Sequence, residues 1–247
     1  MWRYALALMT LGVGLVAATP ARASTAACDL PADFAMAARP LPNLARALDG
    51  GPVVILALGS GSVTGPGASA PEAAWPGRLQ ALLNARYPGR NIEVAVRGGR
   101  GVTVNDHLAL LRESLANQPP ALILWQLGTV EAVRGMDPDE MADSLIRGME
   151  RIRRHGADVI VVDQQYSRFL RANSNIEPYR EKLRLAAAAA GAALFPRYEL
   201  MHRWVEAGAV DLERTPRADR TAAMDKLNDC VARALAELIV QGVSEAR

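Results

Sequence analysis

Short runs of apolar residues alternate with longer stretches whose apolar positions recur at helical spacing, from residue 53 almost to the end of the chain. The short runs, at 53–58, 92–96, 121–127, 159–163 and 193–195, predict strands. The first four are apolar nearly throughout, the pattern of parallel strands buried on both faces. Helices are predicted over 75–86, 104–117, 138–155 and 177–190, with a short one over 199–207 and a last one over about 228–241. Asp137 before Pro138 and Gly156 after His155 bracket the third helix with appropriate start and stop residues. Five strand-helix units predict an α/β three-layer α/β/α sandwich, flavodoxin-like, around a five-stranded parallel sheet. No internal repeat or linker divides it, and the alanine run 186–190 reads as tight helix packing.

The beginning of the chain has a different character. One arginine precedes an apolar run over 5–18, and Ala21-Arg22-Ala23 follows as a small-x-small cleavage site. This predicts a signal peptide over 1–23, cut before Ser24, and a single mature domain over 24–247 in the periplasm or outside the cell. The run is shorter than a membrane span, and no later segment is a second candidate. A lipoprotein would need a Leu-initiated box before Cys28, whereas Thr25-Ala26-Ala27 precedes it. Removing the leader takes Arg3 and Arg22 and no acid, so the 28 basic residues of the full chain fall to parity with its 26 acidic ones. A balanced surface argues against a nucleic-acid partner, which needs a concentrated basic face. Cys28 and Cys230 are the only cysteines. Export through an oxidising compartment favours a disulfide between them, and two buried thiols are the alternative.

In open α/β sheets ligands sit at the carboxyl ends of the strands. The segments there read Gly59-Ser60-Gly61-Ser62-Val63-Thr64-Gly65, Val96-Arg97-Gly98-Gly99-Arg100-Gly101 and Trp125-Gln126-Leu127-Gly128-Thr129-Val130, with Met224-Asp225-Lys226-Leu227-Asn228-Asp229-Cys230 before the last helix. Over essentially the whole mature chain these blocks resemble the SGNH (GDSL) hydrolase family. They are most similar to an exported subgroup with a GSSST-like first block, a tryptophan-glutamine pair before the third block and a cysteine in the last helix. The resemblance implies an ester-hydrolase framework whose chemistry has been removed. Its nucleophile position is Gly61, preceded by Ser60. Its oxyanion asparagine is Val130, its histidine Lys226 and its acid Ala223. Gly98, the oxyanion glycine, is retained.

A glycine cannot form an acyl-enzyme, and losing one oxyanion donor costs roughly a hundred- to a thousandfold in rate. Lys226 is a poor base, since the carboxylate of Asp225 beside it favours the charged ammonium. The other histidines are His107, early in a helix and partly exposed, His155 at a helix end, and His202 after the fifth strand. A displaced site would pair Ser60 or Ser62 with His202, although hydrogen bonding within the tight turn is the favoured account of Ser60, Ser62 and Thr64. Gly61, Gly98, Gln126 and Thr129 are candidate ligand-binding residues. So are Gln165 and Tyr166, which match a D-x-Q-Y feature of the same subgroup.

Two other chemistries lack their motifs. Gly59, Gly61 and Gly65 have G-x-G-x-x-x-G spacing, not that of a dinucleotide fingerprint, and the second strand ends without a ribose-binding acid. No His/Asp/Glu cluster has metal-ligand spacing. The expectation is an exported pseudoenzyme without cofactor or metal that binds an acylated glycan or cell-envelope component. The alternative is an active serine acyl or carbohydrate esterase with the displaced Ser/His site.

Overall fold

Uninterrupted apolar strands need helices on both faces, and the chain supplies them. The structure, a computed structural model, describes residues 28–247; the leader expected over 1–23 lies outside the described residues. A proline-interrupted arm leads into α1 (Pro42–Gly50) and β1 (Val53–Ser60). After β1 come α2 (Trp75–Arg86), β2 (Ile92–Gly99), α3 (Val104–Asn117) and β3 (Leu122–Gln126). The second half holds α4 (Thr129–Arg134), α5 (Pro138–Arg154), β4 (Asp158–Val162), α6 (Arg168–Asn173), α7 (Glu177–Ala189), β5 (Ala193–Phe195), α8 (Arg197–Glu206) and α9 (Arg220–Glu245).

All strand pairs are parallel, in the order β2-β1-β3-β4-β5, which is the flavodoxin-like order. Helices α1, α2 and α9 pack together on one side, and α3, α5 and α7 on the other. Trp75, Trp125, Trp204 and Phe195 are fully buried between these layers. Helix α5 meets the Trp125 ring through Gly148, where a Cβ would lie 2.1 Å from Cη2. Thr103 and Asp106 form a capping box on α3, and Asp137 caps α5 by accepting from the Asp139 amide.

The expected fold class is therefore observed, with four differences. Strands β1 and β2 run on into their glycine blocks, where Gly59 pairs with Gly98. Helices α1, α4 and α6 were not predicted. The last helix starts at Arg220, so Lys226 lies inside it and not on a loop before it. His107, expected to be partly exposed, is fully buried: its Nδ1 accepts from the Trp125 indole at 3.1 Å, which draws it into the core.

Cys28 and Cys230 are joined by a disulfide with 5.7 Å between their Cα atoms, tying the arm to α9 across 202 residues. A loop of that size is worth about 5 kcal/mol in the chain-entropy treatment. Among the described residues no helix is long and apolar enough to cross a membrane. At the amino end of β4, Asp158 is buried and accepts from Asn43 Nδ2 at 2.8 Å and the Leu44 amide at 2.9 Å. That carboxylate pins the start of α1 to the sheet.

Candidate functional site

A crevice of about 620 Å³ opens at the carboxyl ends of the strands. Its floor is where β1 breaks into a 3-10 turn, Gly61–Thr64, closed by Gly65 in the left-handed region at φ +65°. Gly61 lines the crevice, and a Cβ placed there would meet only Arg100, at an ordinary 3.6 Å. No crowding requires glycine at that position. Gly98 is the opposite case. Its φ is +121°, and a Cβ would fall 1.8 Å from the Gly59 carbonyl oxygen, so the close approach of β1 and β2 demands glycine. Gly98 is not among the residues lining the crevice.

Gln126, at the end of β3, organises the floor. It is fully buried and holds two hydroxyls at once: Nε2 donates to Ser60 Oγ at 2.9 Å, and Oε1 accepts from Ser62 Oγ at 2.6 Å. Ser62 Oγ also accepts from Arg197 Nη1 at 2.9 Å. Its proton is thus committed to a neutral amide and a lone pair to a guanidinium, which is the reverse of an activated nucleophile. Thr64 donates back to the Gly61 carbonyl within the turn. No described imidazole hydrogen-bonds to any of these hydroxyls.

His202 turns to Glu206, with 3.3 Å between Nε2 and Oε1, and its ring lies 4.6 Å from that of Tyr166. It is not among the lining residues. His155 contacts the Arg151 carbonyl in the last turn of α5. Burial pushes the pKa of His107 down to about 4, against the raising effects of the Gly59 backbone and Asp106, and keeps it neutral. The remaining expected ligand residues Gln126, Thr129, Gln165 and Tyr166 all line the crevice, as does Val130. Lys226 does not; its neighbour Asp225 accepts from the Ser69 amide and hydroxyl and ties α9 to the loop after the first block. Glu131, buried behind the third block, accepts from the amides of Gly128 and Val104 and joins that block to α3.

The residue that sequence reasoning passed over is Arg197. It lies two residues beyond β5, 4% exposed, and lines the crevice. Nη1 donates to Ser62, Nη2 reaches Gln165 Oε1 at 3.5 Å, and Nε has no partner. Burial lowers its pKa to about 10, with Asp163 pulling the other way, so it remains a cation at neutral pH. Asp163 is itself pushed up to about 6 by burial. Its ion pair, at 3.4 Å, is with Arg180, which also pairs with Glu177 and Glu199. Asn228 on α9 likewise lines the crevice, buried, with Nδ2 unpartnered, and Thr129 Oγ1 is unpartnered too. A charged residue two positions beyond a buried strand, at the end of the sheet where ligands bind, was the available signal for Arg197. Among the described residues no cluster of His, Cys, Asp or Glu could hold a metal ion.

A family model described as "Non-GDSL lipase-like family" matches residues 27–245. The chain belongs to this family. The family's description agrees with a first block that lacks the Asp-Ser pair. No curated protein matches the sequence. Among solved structures, TesA is 25% identical with a TM-score of 0.57, covering 75% of this chain and 99% of that one. AlinE4, an SGNH-hydrolase family esterase, is 21% identical with a TM-score of 0.54, covering 64% and 81%. LAE5, an alpha/beta hydrolase enzyme from the metagenome of Lake Arreo, Spain, is 16% identical with a TM-score of 0.60, covering 80% and 97%. These likenesses show that this member of the Non-GDSL lipase-like family has the SGNH-hydrolase fold.

Proposed function

We propose that this protein is an exported member of the SGNH-hydrolase fold that has given up ester hydrolysis and uses its crevice to hold an acylated glycan or another acyl-bearing component of the cell envelope. The observation that carries the reading is the state of Ser62. With glycine at the nucleophile position, Ser62 is the hydroxyl placed to replace it. That hydroxyl is held between Gln126 and the Arg197 guanidinium, and His202 faces Glu206. A general base must reach the proton it removes, and here an amide oxygen holds it. Export rests on the leader-like residues 1–23, and binding rests on a crevice within the usual size range of small-molecule sites, roughly 300–1,000 Å³.

The test is hydrolysis of short-chain aryl esters by the purified mature protein beside Ser60→Ala, Ser62→Ala and His202→Ala. No turnover above the buffer rate, or a trace unchanged by every substitution, is expected. Turnover that collapses in a serine variant and in His202→Ala would replace this reading with a working esterase built on a displaced site.

A further inference from the structure

The crevice joins two unlike surfaces. Its outer wall is aliphatic, formed by Leu170, Met201, Val205, Leu212, Met224 and Val231 from α6, α8, α9 and the segment after α8. Its floor carries Arg197, a cation buried to 96% with no carboxylate oxygen within 4 Å among the described residues and with Nε unpartnered. A buried charge without a counter-ion is costly, by several kcal/mol in ordinary cases. Asp163, whose charge acts on it, is already engaged by Arg180. Two carboxylates do line the crevice, Asp211 and Glu213, and both are occupied. Arg168 pairs with Asp211 at 2.9 Å and Glu213 at 3.6 Å, and Glu213 also accepts from Ser167 Oγ and from the amides of Arg168 and Phe169. Two further donor-bearing residues line the crevice: Asn228, whose buried Nδ2 is unpartnered, and Arg100.

We infer that the crevice binds an amphiphile with an anionic oxyacid head, a carboxylate or a phosphate monoester, seated on Arg197 and Ser62, with its aliphatic chain along the α8–α9 wall. The inference rests on the non-hydrolytic acyl-binding reading and adds the head group. Guanidinium matches a two-oxygen anion through paired N–H donors, so Arg197 supplies the recognition that an oxyanion hole supplies in a hydrolase. Ser62 keeps a lone pair on the guanidinium and rotates its proton from Gln126 to the anion.

The experiment is calorimetric titration of the mature protein at pH 7 with octanoate, octyl phosphate and octan-1-ol, repeated on Arg197→Gln and Arg197→Lys. One of the two anions is expected to bind about ten- to a hundredfold tighter than octan-1-ol, the range of a charge-assisted hydrogen bond. Whichever anion is tighter identifies the head. Arg197→Gln should abolish the preference and Arg197→Lys should keep part of it. Shortening octanoate by one methylene should weaken binding about fourfold. Equal binding of octanoate, octyl phosphate and octan-1-ol overturns the inference and leaves the acyl-binding reading standing. An anion preference that survives Arg197→Gln overturns the role of Arg197. Failure of all three amphiphiles to bind sinks both. Should Arg197→Gln not fold, the comparison of octanoate with octan-1-ol on the unaltered protein still decides.

Discussion

Two buried charges sit at opposite ends of the same sheet. Asp158, at the amino end of β4, is surrounded by donors that match it, one side-chain amide and one backbone amide. Arg197, two residues beyond the carboxyl end of β5, shares a hydroxyl with Gln126, reaches one distant amide oxygen, and leaves Nε bare. A group that only builds the fold is expected to be satisfied, because an unmet buried polar atom costs about 1–3 kcal/mol. Asp158 obeys this rule and Arg197 does not, and that contrast is what the proposed ligand site rests on.

Substitution of each charge tests that contrast most directly. Asp158→Ala leaves the Asn43 amide and the Leu44 N–H unpaired and should lower stability by about 3 kcal/mol in urea unfolding. Arg197→Gln removes an uncompensated charge and should cost less than about 1 kcal/mol, or stabilise. Equal losses would make Arg197 a structural residue and dissolve the contrast.

The second prediction concerns pH. His107 has a folded pKa of about 4 against an ordinary 6.5, so its contribution is present above pH 6.5 and is lost as pH falls toward 4. That loss is about 3 kcal/mol. Asp163 has a folded pKa raised to about 6, so protonation favours the folded chain and stability rises as pH falls from 6 toward 3.8. This gain is also about 3 kcal/mol, and the two offset. Asp163→Asn removes the gain alone. Between pH 7 and 4 the variant should lose about 3 kcal/mol more than the parent by chemical denaturation. A parallel pair of pH profiles would show that Asp163 is not held in the raised state that its burial implies, against the lowering effect of Arg180.

The smallest effect is expected at the nucleophile position. Gly61→Ser meets only Arg100 at 3.6 Å and should change stability by less than about 1 kcal/mol. It should also remain without esterase activity, since no imidazole partners the floor. Hydrolysis by that single variant would mean that a base lies within reach after all.

Much of the frame was legible beforehand because buried parallel strands announce themselves: all five were located, and helices α2 and α3 fall on the expected residues. The short helices were not, since α1, α4 and α6 are too brief to show a period. The start of α9 was displaced by the expectation of a loop carrying an acid and a histidine. With Ala223 and Lys226 in those places nothing demands a loop, and the helix continues back to Arg220. The candidate site was half legible. Gln126, Thr129, Gln165 and Tyr166 came from block positions, and all of them line the crevice. Arg197 did not, because a buried arginine leaves no periodic trace and its partners, Ser62 and Gln165, come from the segments after β1 and β4. Gly98 shows the converse limit: the pattern identified it as a retained donor, while its geometry is explained by the Gly59 carbonyl alone.

The bond between Cys28 and Cys230 also has a mechanical meaning. A chain pulled by its two ends usually lengthens by shedding elements from the termini inward. Here tension entering at the arm passes through the sulfurs straight into α9 and leaves by the residues beyond Cys230. The sheet and its crevice hang on a slack loop that carries none of the load.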